Sequence, residues 1–463
     1  MPYKDLREFI DRLKKEGELW EIEAEVDPHL ELGAICRKAL NEKAPALLFK
    51  NVKGYSHPVF ANMLGTRRRL ALAMETSEES LLKKYVEQTS VSLAIPTPLV
   101  ADGPCKEVKV APGSFDLKQL IPQILSNPDD GGPFINYGLV ICKDPDTGIR
   151  NMGIYRFQMR EGKTRTGLWS RQPQHLAVIL SKYGDMNKPM EIAIAIGADP
   201  LLYIASQVRE LPLDTDEIAL AAAMKGEPIE LVKCETVDLE VPAHSELVLE
   251  GKVLPGVREP EGPYGEYPGY YGPVLDFPVV EFQYATHRKD PIYNYTYLGT
   301  PPTDCHVIMS LGMEGGYLNR LKADVAPLVK DVYCPPDCHT IIVSVKKGYD
   351  EHAKHIIYTI FADRMSKTII VVDEDINPRD MEQVFWALAN RFHPSRDIVV
   401  GEGFGSIGPS HTKYNAPYTN KMGIDATEPL QGFPKLVRAS SEVMDKVEKR
   451  WDEIIPSDKC NQR

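Results

Sequence analysis

Leu6, Phe9, Ile10 and Leu13 recur at helical spacing within residues 3–16, and Gly17 supplies a stop, which predicts an amphipathic helix at the start of the chain. A second helical stretch, LELGAICRKALNE (30–42), precedes a short apolar strand, ALLFKNV (46–52), so residues 1–104 read as a small α/β unit. The unit closes at IPTPLVADGP (95–104), where three prolines and a glycine mark a boundary. Between 105 and 304 the pattern changes to short strands bounded by turn residues: INYGLVICK (135–143), NMGIYRFQMR (151–160), MEIAIAIGA (190–198), IELVKCE (229–235), SELVLEGKVL (245–254) and FPVVEFQYATH (277–287). Helical patterns near 174–184 and 214–225 interrupt them. A central β-barrel-like domain with helical insertions is expected.

From 305 to 432, TIIVSV (340–345), TIIVVDED (368–375) and DIVVGEG (397–403) alternate with helical patterns near 350–363 and 379–392, the rhythm of a C-terminal α/β domain. In the tail, 433–463, Leu436, Val437, Val443, Val447 and Trp451 fall at helical spacing, as in a terminal amphipathic helix able to dock on a neighbouring subunit. The fold class is therefore α+β or α/β, in several domains. With 463 residues, of which 43% are hydrophobic and 26% charged, the chain exceeds the size of a single core, and disorder is not expected.

The net charge of −12, with basic residues scattered apart from Arg67, Arg68 and Arg69, disfavours nucleic acid as a partner. It also repels anions at long range, so a carboxylate substrate would need a local arginine. The start, MPYKDLREF, lacks a signal-peptide core, and no apolar run approaches the ~20 residues that span a bilayer, so a cytoplasmic protein without membrane contact is expected. Eight dispersed cysteines read as reduced thiols; Cys334, Cys338 and His339 in CPPDCH give a weak zinc signal without a second ligand pair. No P-loop motif is present.

EPEGPYGE (259–266), continued by YPGYYGP (267–273), sets three carboxylates among prolines and glycines in a rigid loop. By itself such a composition is that of an ordinary solvated turn. Tyr264, Tyr267, Tyr270 and Tyr271 beside it would strip water from an acid and suit it to donate a proton. Asn151, Arg156, His175 and Glu217 are further polar candidates, each with a structural explanation when taken singly; Asp214 and Glu217, for example, form a capping-box-like pair.

Taken together, NMGIYR, PQH, DEIALAAAMKGEP, EVPAHSELVLEG, EPEGPYGEYPGYYGP and NKMGIDAT (420–427) resemble, in this order and over nearly the whole chain, the UbiD family of reversible decarboxylases. The resemblance implies a split β-barrel that holds prenylated FMN through a divalent metal, Mn²⁺ or Mg²⁺, with K⁺ near the phosphate and a flavin prenyltransferase as supplier. It implies Asn151, His175 and Glu217 as metal ligands. Ile154, Tyr155, Arg156, Trp169, Ser170, Gln174 and His175 would line the flavin, with Lys421 at its phosphate. Arg156, Glu261 and Glu266 match the catalytic network: Arg156 to seat the leaving carboxylate, Glu266 to deliver the proton, and Glu261 to hold Arg156. A homodimer or hexamer is implied. YLGTPPTDCH (297–306) and WALANRFHP (386–394) are similar to the hydroxyarylic acid branch, pointing to a small aromatic or heteroaromatic acid and CO₂, with a cinnamate-type acid as the alternative. An FMN carrier without catalysis is the competing class, and it has no use for Arg156, Glu261 and Glu266 together.

Overall fold

A computed structural model of the protein describes residues 3–89, 94–110, 112–209, 211–324, 328–405 and 418–455. The opening amphipathic pattern forms α1 (Leu6–Lys15), whose first turn is capped by the Asp5 carboxylate accepting from the Glu8 amide; Leu6, Phe9, Ile10 and Leu13 are its buried face. It is followed by α2 (Glu31–Asn41), α3 (Arg67–Ala73) and α4 (Leu81–Gln88). Strands β1 (Leu19–Ile22), β2 (Ala46–Phe49) and β3 (Val59–Ala61) form the first sheet, and its fourth strand is β13 (Tyr293–Tyr295), parallel to β3. This layer therefore recruits three residues from some 190 positions beyond the turn-rich segment at 95–104.

The middle sheet contains β4 (Val108–Val110), β5 (Phe134–Lys143), β6 (Arg150–Met159), β7 (Arg165–Leu168), β8 (Met190–Ile196), β11 (Leu247–Glu261) and β12 (Leu275–His287). Their order is β11-β8-β5-β6-β7-β12-β4, every pairing is antiparallel, and β11 pairs with β12 as well, so the ladder returns to its first strand. IELVKCE does not join it. Its residues form β9 (Leu231–Lys233), which makes a separate two-stranded sheet with β10 (Glu240–Pro242). Both faces of β5 are buried: Tyr137, Leu139 and Ile141 enter one core and Ile135, Val140 and Cys142 another. A register shift between Ile135 and Gly138 accounts for the change of side within that alternation.

Helices α5 (Leu117–Leu120), α6 (His175–Asp185), α7 (Pro200–Ala205) and α8 (Glu217–Lys225) connect these strands. Beyond them, α9 (Asp304–Asp324) leads into a five-stranded sheet, β14 (Val329–Tyr333), β15 (Thr340–Val345), β16 (Thr368–Asp373), β18 (Tyr418–Ala426) and β17 (Ile398–Gly405), in that spatial order. Its parallel centre, β15-β16-β18, is joined through α10 (His352–Phe361) and α11 (Met381–Asn390). The strand carrying NKMGIDAT is thus central. The tail departs from expectation: Ser440 caps α12 (Ser441–Glu448), so Leu436 and Val437 precede the helix rather than share its face, and α12 buries no residue. A short α13 (Trp451–Ile454) follows. Among the described residues no helix is long and apolar enough to cross a membrane.

Candidate active site

The acidic loop is not a solvated turn. Strand β11 ends on Glu261, which is fully buried, and Gly262 turns the chain at φ 103°, a conformation a side chain would strain. The loop is fastened on both sides: the Gly262 amide donates to Gln158 Oε1 (3.0 Å), the Gly265 amide to Asp130 Oδ1 (2.8 Å), and the Gly131 amide to the Pro263 carbonyl (2.7 Å). Two further amide bonds, Glu266 to the Tyr270 carbonyl and Gly272 to the Tyr264 carbonyl, both 2.9 Å, close it internally. Of the four tyrosines, Tyr264 and Tyr267 line the cavity described below, whereas Tyr270 (60% exposed) and Tyr271 (39%) face outward and do not line it.

Arg156 reaches this loop from β6. Its Nε and Nη2 donate to the two carboxylate oxygens of Glu261, each at 2.9 Å, and Nη1 donates to Glu266 Oε1 at 2.6 Å. The rings of Tyr264, Trp169 and Phe134 stand 4.5, 5.1 and 5.9 Å from the guanidinium carbon. Burial works against the charge on Arg156, but the two carboxylates outweigh it and hold its pKa above the ordinary value. Arg156 and Glu266 line a cavity of about 570 Å³, while Glu261 stands behind Arg156, outside the lining.

The same cavity brings together Asn151, His175 and Glu217. Glu217 opens α8, but its cap is Asp216, whose carboxylate accepts from the Ile218 and Ala219 amides; the pair read between Asp214 and Glu217 does not form the cap. Freed from capping, Glu217 accepts from Asn151 Nδ2 and the Met152 amide, both at 2.8 Å, and lies 3.8 Å from His175 Nδ1. Burial raises its pKa, against the opposing pull of His175 and the Met152 amide. Asn151 Oδ1 is buried without a hydrogen-bond partner among the described residues. An unpartnered amide oxygen, an imidazole and a carboxylate converging in this way fit a divalent cation of Mn²⁺ or Mg²⁺ type.

Ile154, Tyr155, Trp169 and Gln174 also line this cavity. Ser170 instead lines a neighbouring cavity of about 430 Å³, beside Gln172 and α6. Lys421 is not brought to the cavity either. Its ammonium is consumed by the Phe361 carbonyl (2.9 Å), the Asp363 carbonyl and Ser366 Oγ (3.0 Å), three acceptors for three protons, and burial lowers its pKa to about 8. The zinc signal is a structural cluster: Cys334 and Cys338 are fully buried thiols whose pKa values burial raises, and among the described residues no group of three His, Cys, Asp or Glu is disposed to hold a metal. Sequence reasoning passed over Asn136, Arg209 and the α9 residues Cys305, Ile308 and Met309, together with Met365, which brings the C-terminal unit into the wall. The run GMEGG in α9 was the available signal, since glycines within a helix mark a close approach.

Three family models match the chain, those of the N-terminal, Rift-related and C-terminal domains of 3-octaprenyl-4-hydroxybenzoate carboxy-lyase (UbiD), over residues 10–89, 99–301 and 306–426. An uncharacterized protein of Archaeoglobus fulgidus is 36% identical, with 98% of this chain and 99% of that protein covered. The UbiD-class enzyme HmfF from Pelotomaculum thermopropionicum, solved in complex with FMN, is 37% identical with a TM-score of 0.88, covering 97% of this chain and 100% of that one. An evolved dimeric form of HmfF, in complex with prFMN, gives 37% and 0.85, covering 96% and 98%. Vanillic acid decarboxylase of Sedimentibacter hydroxybenzoicus, in its closed form, is 31% identical with a TM-score of 0.87, covering 98% and 100%.

Proposed function

Because the chain belongs to the UbiD family of carboxy-lyases, we propose that it reversibly decarboxylates a small aromatic or heteroaromatic acid in the cavity beside Arg156. The observation that carries this reading is the buried Arg156, clamped on two nitrogens by Glu261 and facing the cavity with Glu266 on the third. A carrier protein has no need of a cation so held. The similarity to vanillic acid decarboxylase supports an aromatic acid as substrate.

Prenylated FMN, when bound, would supply the electron sink for the carbon that loses CO₂. Ile154, Tyr155, Trp169, Gln174 and His175 would line it, Asn151, His175 and Glu217 would hold the divalent ion, and K⁺ would neutralise the phosphate further; the complexes of HmfF with FMN and prFMN support this assignment. The return of β12 onto β11 supports reading the middle sheet as the split barrel of that flavin site.

The chain's own residues divide the remaining work. Glu261 fixes the guanidinium plane through two charge-assisted bonds, so Arg156 meets an entering carboxylate in one orientation. That carboxylate competes with Glu266 for Nη1, and Glu266 is displaced from its bond to Arg156 as the substrate seats. Once released, the Glu266 carboxylate takes up a proton from solvent, gives it to the carbon from which CO₂ departs, and returns to the carboxylate that pairs with Arg156. In the direction of carboxylation the same carboxylate removes the proton. Trp169, Tyr264 and Phe134 keep water from the guanidinium and favour loss of an uncharged product. The reading is tested by producing the protein with a flavin prenyltransferase, verifying the released flavin by mass, and screening aromatic, heteroaromatic and acrylic acids for CO₂ release. Holoenzyme of verified cofactor mass and metal content that turns over none of them overturns it.

A further inference from the structure

Arg156 and Glu261 are set by strands, since β6 and β11 carry them within paired ladders, but Glu266 lies beyond the end of β11 in the loop. Where Glu266 stands relative to the guanidinium is therefore decided by whatever holds residues 262–265. Their first amide, Gly262, is taken by Gln158 and their last, Gly265, by Asp130, which places one side-chain acceptor next to each acid. Gln158 follows Arg156 on β6, so its hold on Gly262 belongs to the strand that carries the arginine. Asp130 belongs to neither strand and lies outside the cavity lining.

Asp130 Oδ1 accepts from the Gly265 amide at 2.8 Å, and Oδ2 accepts from the Asn127 amide at 3.0 Å and from Asn127 Nδ2 at 3.2 Å. Asn127 is itself fixed: its Nδ2 also donates to the Leu298 carbonyl (3.2 Å), and its Oδ1 accepts from the Tyr297 hydroxyl (2.8 Å). The Asp129 amide donates to the Tyr271 hydroxyl (3.1 Å), so the segment 127–131 meets the far end of the loop as well. The two segments pack without room for a side chain. A methyl on Gly131 would lie 2.2 Å from the Gly262 carbonyl oxygen, and one on Gly265 would lie 2.8 Å from Asn127 Nδ2. Burial raises the pKa of the Asp130 carboxyl, opposed by the donors at Gly265 and Asn127 and by the charge of Arg156. Among the described residues, the carboxylate hydrogen-bonds only to Gly265 and Asn127, the loop and the segment that braces it.

We propose that Asp130 is a positioning residue for proton transfer: acting through Gly265, it holds Glu266 where its carboxyl reaches the carbon that loses CO₂, and it takes no part in seating the substrate at Arg156. This rests on reading Glu266 as the acid of the decarboxylation. Asparagine at 130 cannot do the same. With its oxygen on the Gly265 amide, its NH₂ would face the backbone and side-chain N–H groups of Asn127, donor against donor; turned the other way, it leaves the Gly265 amide without an acceptor. The loop then shifts while Arg156 stays bound to Glu261, whose two bonds do not involve Asp130. Misplacing a reacting group by about 1 Å costs up to ~10²-fold in rate.

The test uses enzyme loaded with flavin and metal, and the acid that it turns over fastest. Asp130→Asn is expected to lower kcat roughly tenfold to a hundredfold with KM near that of wild type, and to slow exchange of deuterium from D₂O into the product by the same factor. In a Glu266→Gln background the same substitution should change kcat little, because the group it positions has already lost its proton. Exchanging the pair, Asp130→Asn with Asn127→Asp, again sets a donor against an acceptor and should recover part of kcat. Should Asp130→Asn alone give little folded protein, Asn127→Ser, which removes one donor and leaves the carboxylate, is measured in its place and is expected to show the same split with a smaller fall. An unchanged kcat, a fall carried by KM, or an equal fall in the Glu266→Gln background overturns the proposal. Wild type that turns over no acid, or Glu266→Gln that matches the wild-type rate, defeats the reading of Glu266 instead. Hydrogen exchange of the peptide 259–273, followed by mass spectrometry, then decides the anchor: protection lost in Asp130→Asn at an unchanged melting temperature leaves Asp130 standing as the fixture of Glu266, and protection equal to wild type overturns it.

Discussion

Glu266 and Glu261 share one arginine but sit in different places, and substitution separates their roles. Glu266→Gln keeps an acceptor for Arg156 Nη1 and removes the transferable proton, so decarboxylation is expected to fall by ~10² to 10⁴ with flavin and metal retained. Exchange of deuterium from D₂O into the product, followed by NMR, should fall with it; near-normal turnover and exchange would remove Glu266 as the acid. Arg156→Lys keeps the charge but not the fork that engages both Glu261 oxygens, and kcat/KM should drop while the variant unfolds at the wild-type temperature. Glu217→Ala withdraws the one carboxylate from the Asn151 and His175 group, so metal content by elemental analysis and flavin occupancy by absorbance should fall together. Full occupancy in that variant would exclude these residues as the metal site.

Two glycines connect local backbone to chemistry at the level of loop and helix. In the loop after β11, a methyl on Gly272 would lie 2.8 Å from Glu266 Oε1 and 3.1 Å from its Cγ, so the carboxylate must move. Gly272→Ala should therefore lower kcat without loss of flavin or metal, and full activity would show that the Glu266 position is not critical. In α9, Gly312→Ala gains up to about 1 kcal/mol of helix propensity but drives Cβ to 2.6 Å from a backbone oxygen that cannot swing aside. Overpacking of this kind typically costs about 1–3 kcal/mol, so the denaturant midpoint should fall, and the 207–209 wall of the cavity should shift with it.

Across the whole molecule, His306 on α9 links the acidic loop to the helix: Nδ1 lies 2.7 Å from Thr303 Oγ1, and Nε2 meets the Tyr267 carbonyl. Burial lowers its pKa from 6.5 to about 4. The unfolded chain takes up this proton near pH 6.5 and the folded chain not until about pH 4, so unfolding binds a proton in that window and stability falls as the pH is lowered through it. One such group contributes up to about 1.4 kcal/mol per pH unit, and the difference between wild type and His306→Gln in urea midpoint against pH measures it. The tail makes the opposite prediction. With Val437 97% exposed, no residue of α12 buried and Arg438 to Asp375 (2.8 Å) as a surface tie, removal of residues 433–463 should leave the melting temperature of a monomeric form nearly unchanged. If the tail docks on a neighbouring subunit, light scattering should show the truncated protein in a smaller assembly.

Periodicity alone determined α1, α2, the long strands β5, β6, β8, β11 and β12, and the α/β rhythm of the C-terminal unit, because their buried faces repeat at 3.6 or 2 residues within one continuous segment. Motif order determined the family, since EGPYGE, NMGIYR and DEIALAAAMKGEP carry that information as local strings. What required tertiary structure was every relation between distant segments: β13 completing the first sheet with β3, β9 leaving the main ladder, and Arg156 meeting Glu261 across 105 positions. Charge partners are likewise invisible along the chain. Lys421 lies in a motif string that matches a phosphate-binding position, yet three acceptors surround its ammonium in the fold. The physical reason is that a hydrophobic pattern records which side of an element is dry, whereas a hydrogen bond or ion pair depends on atoms a few ångströms apart that only the packing of separate elements brings together.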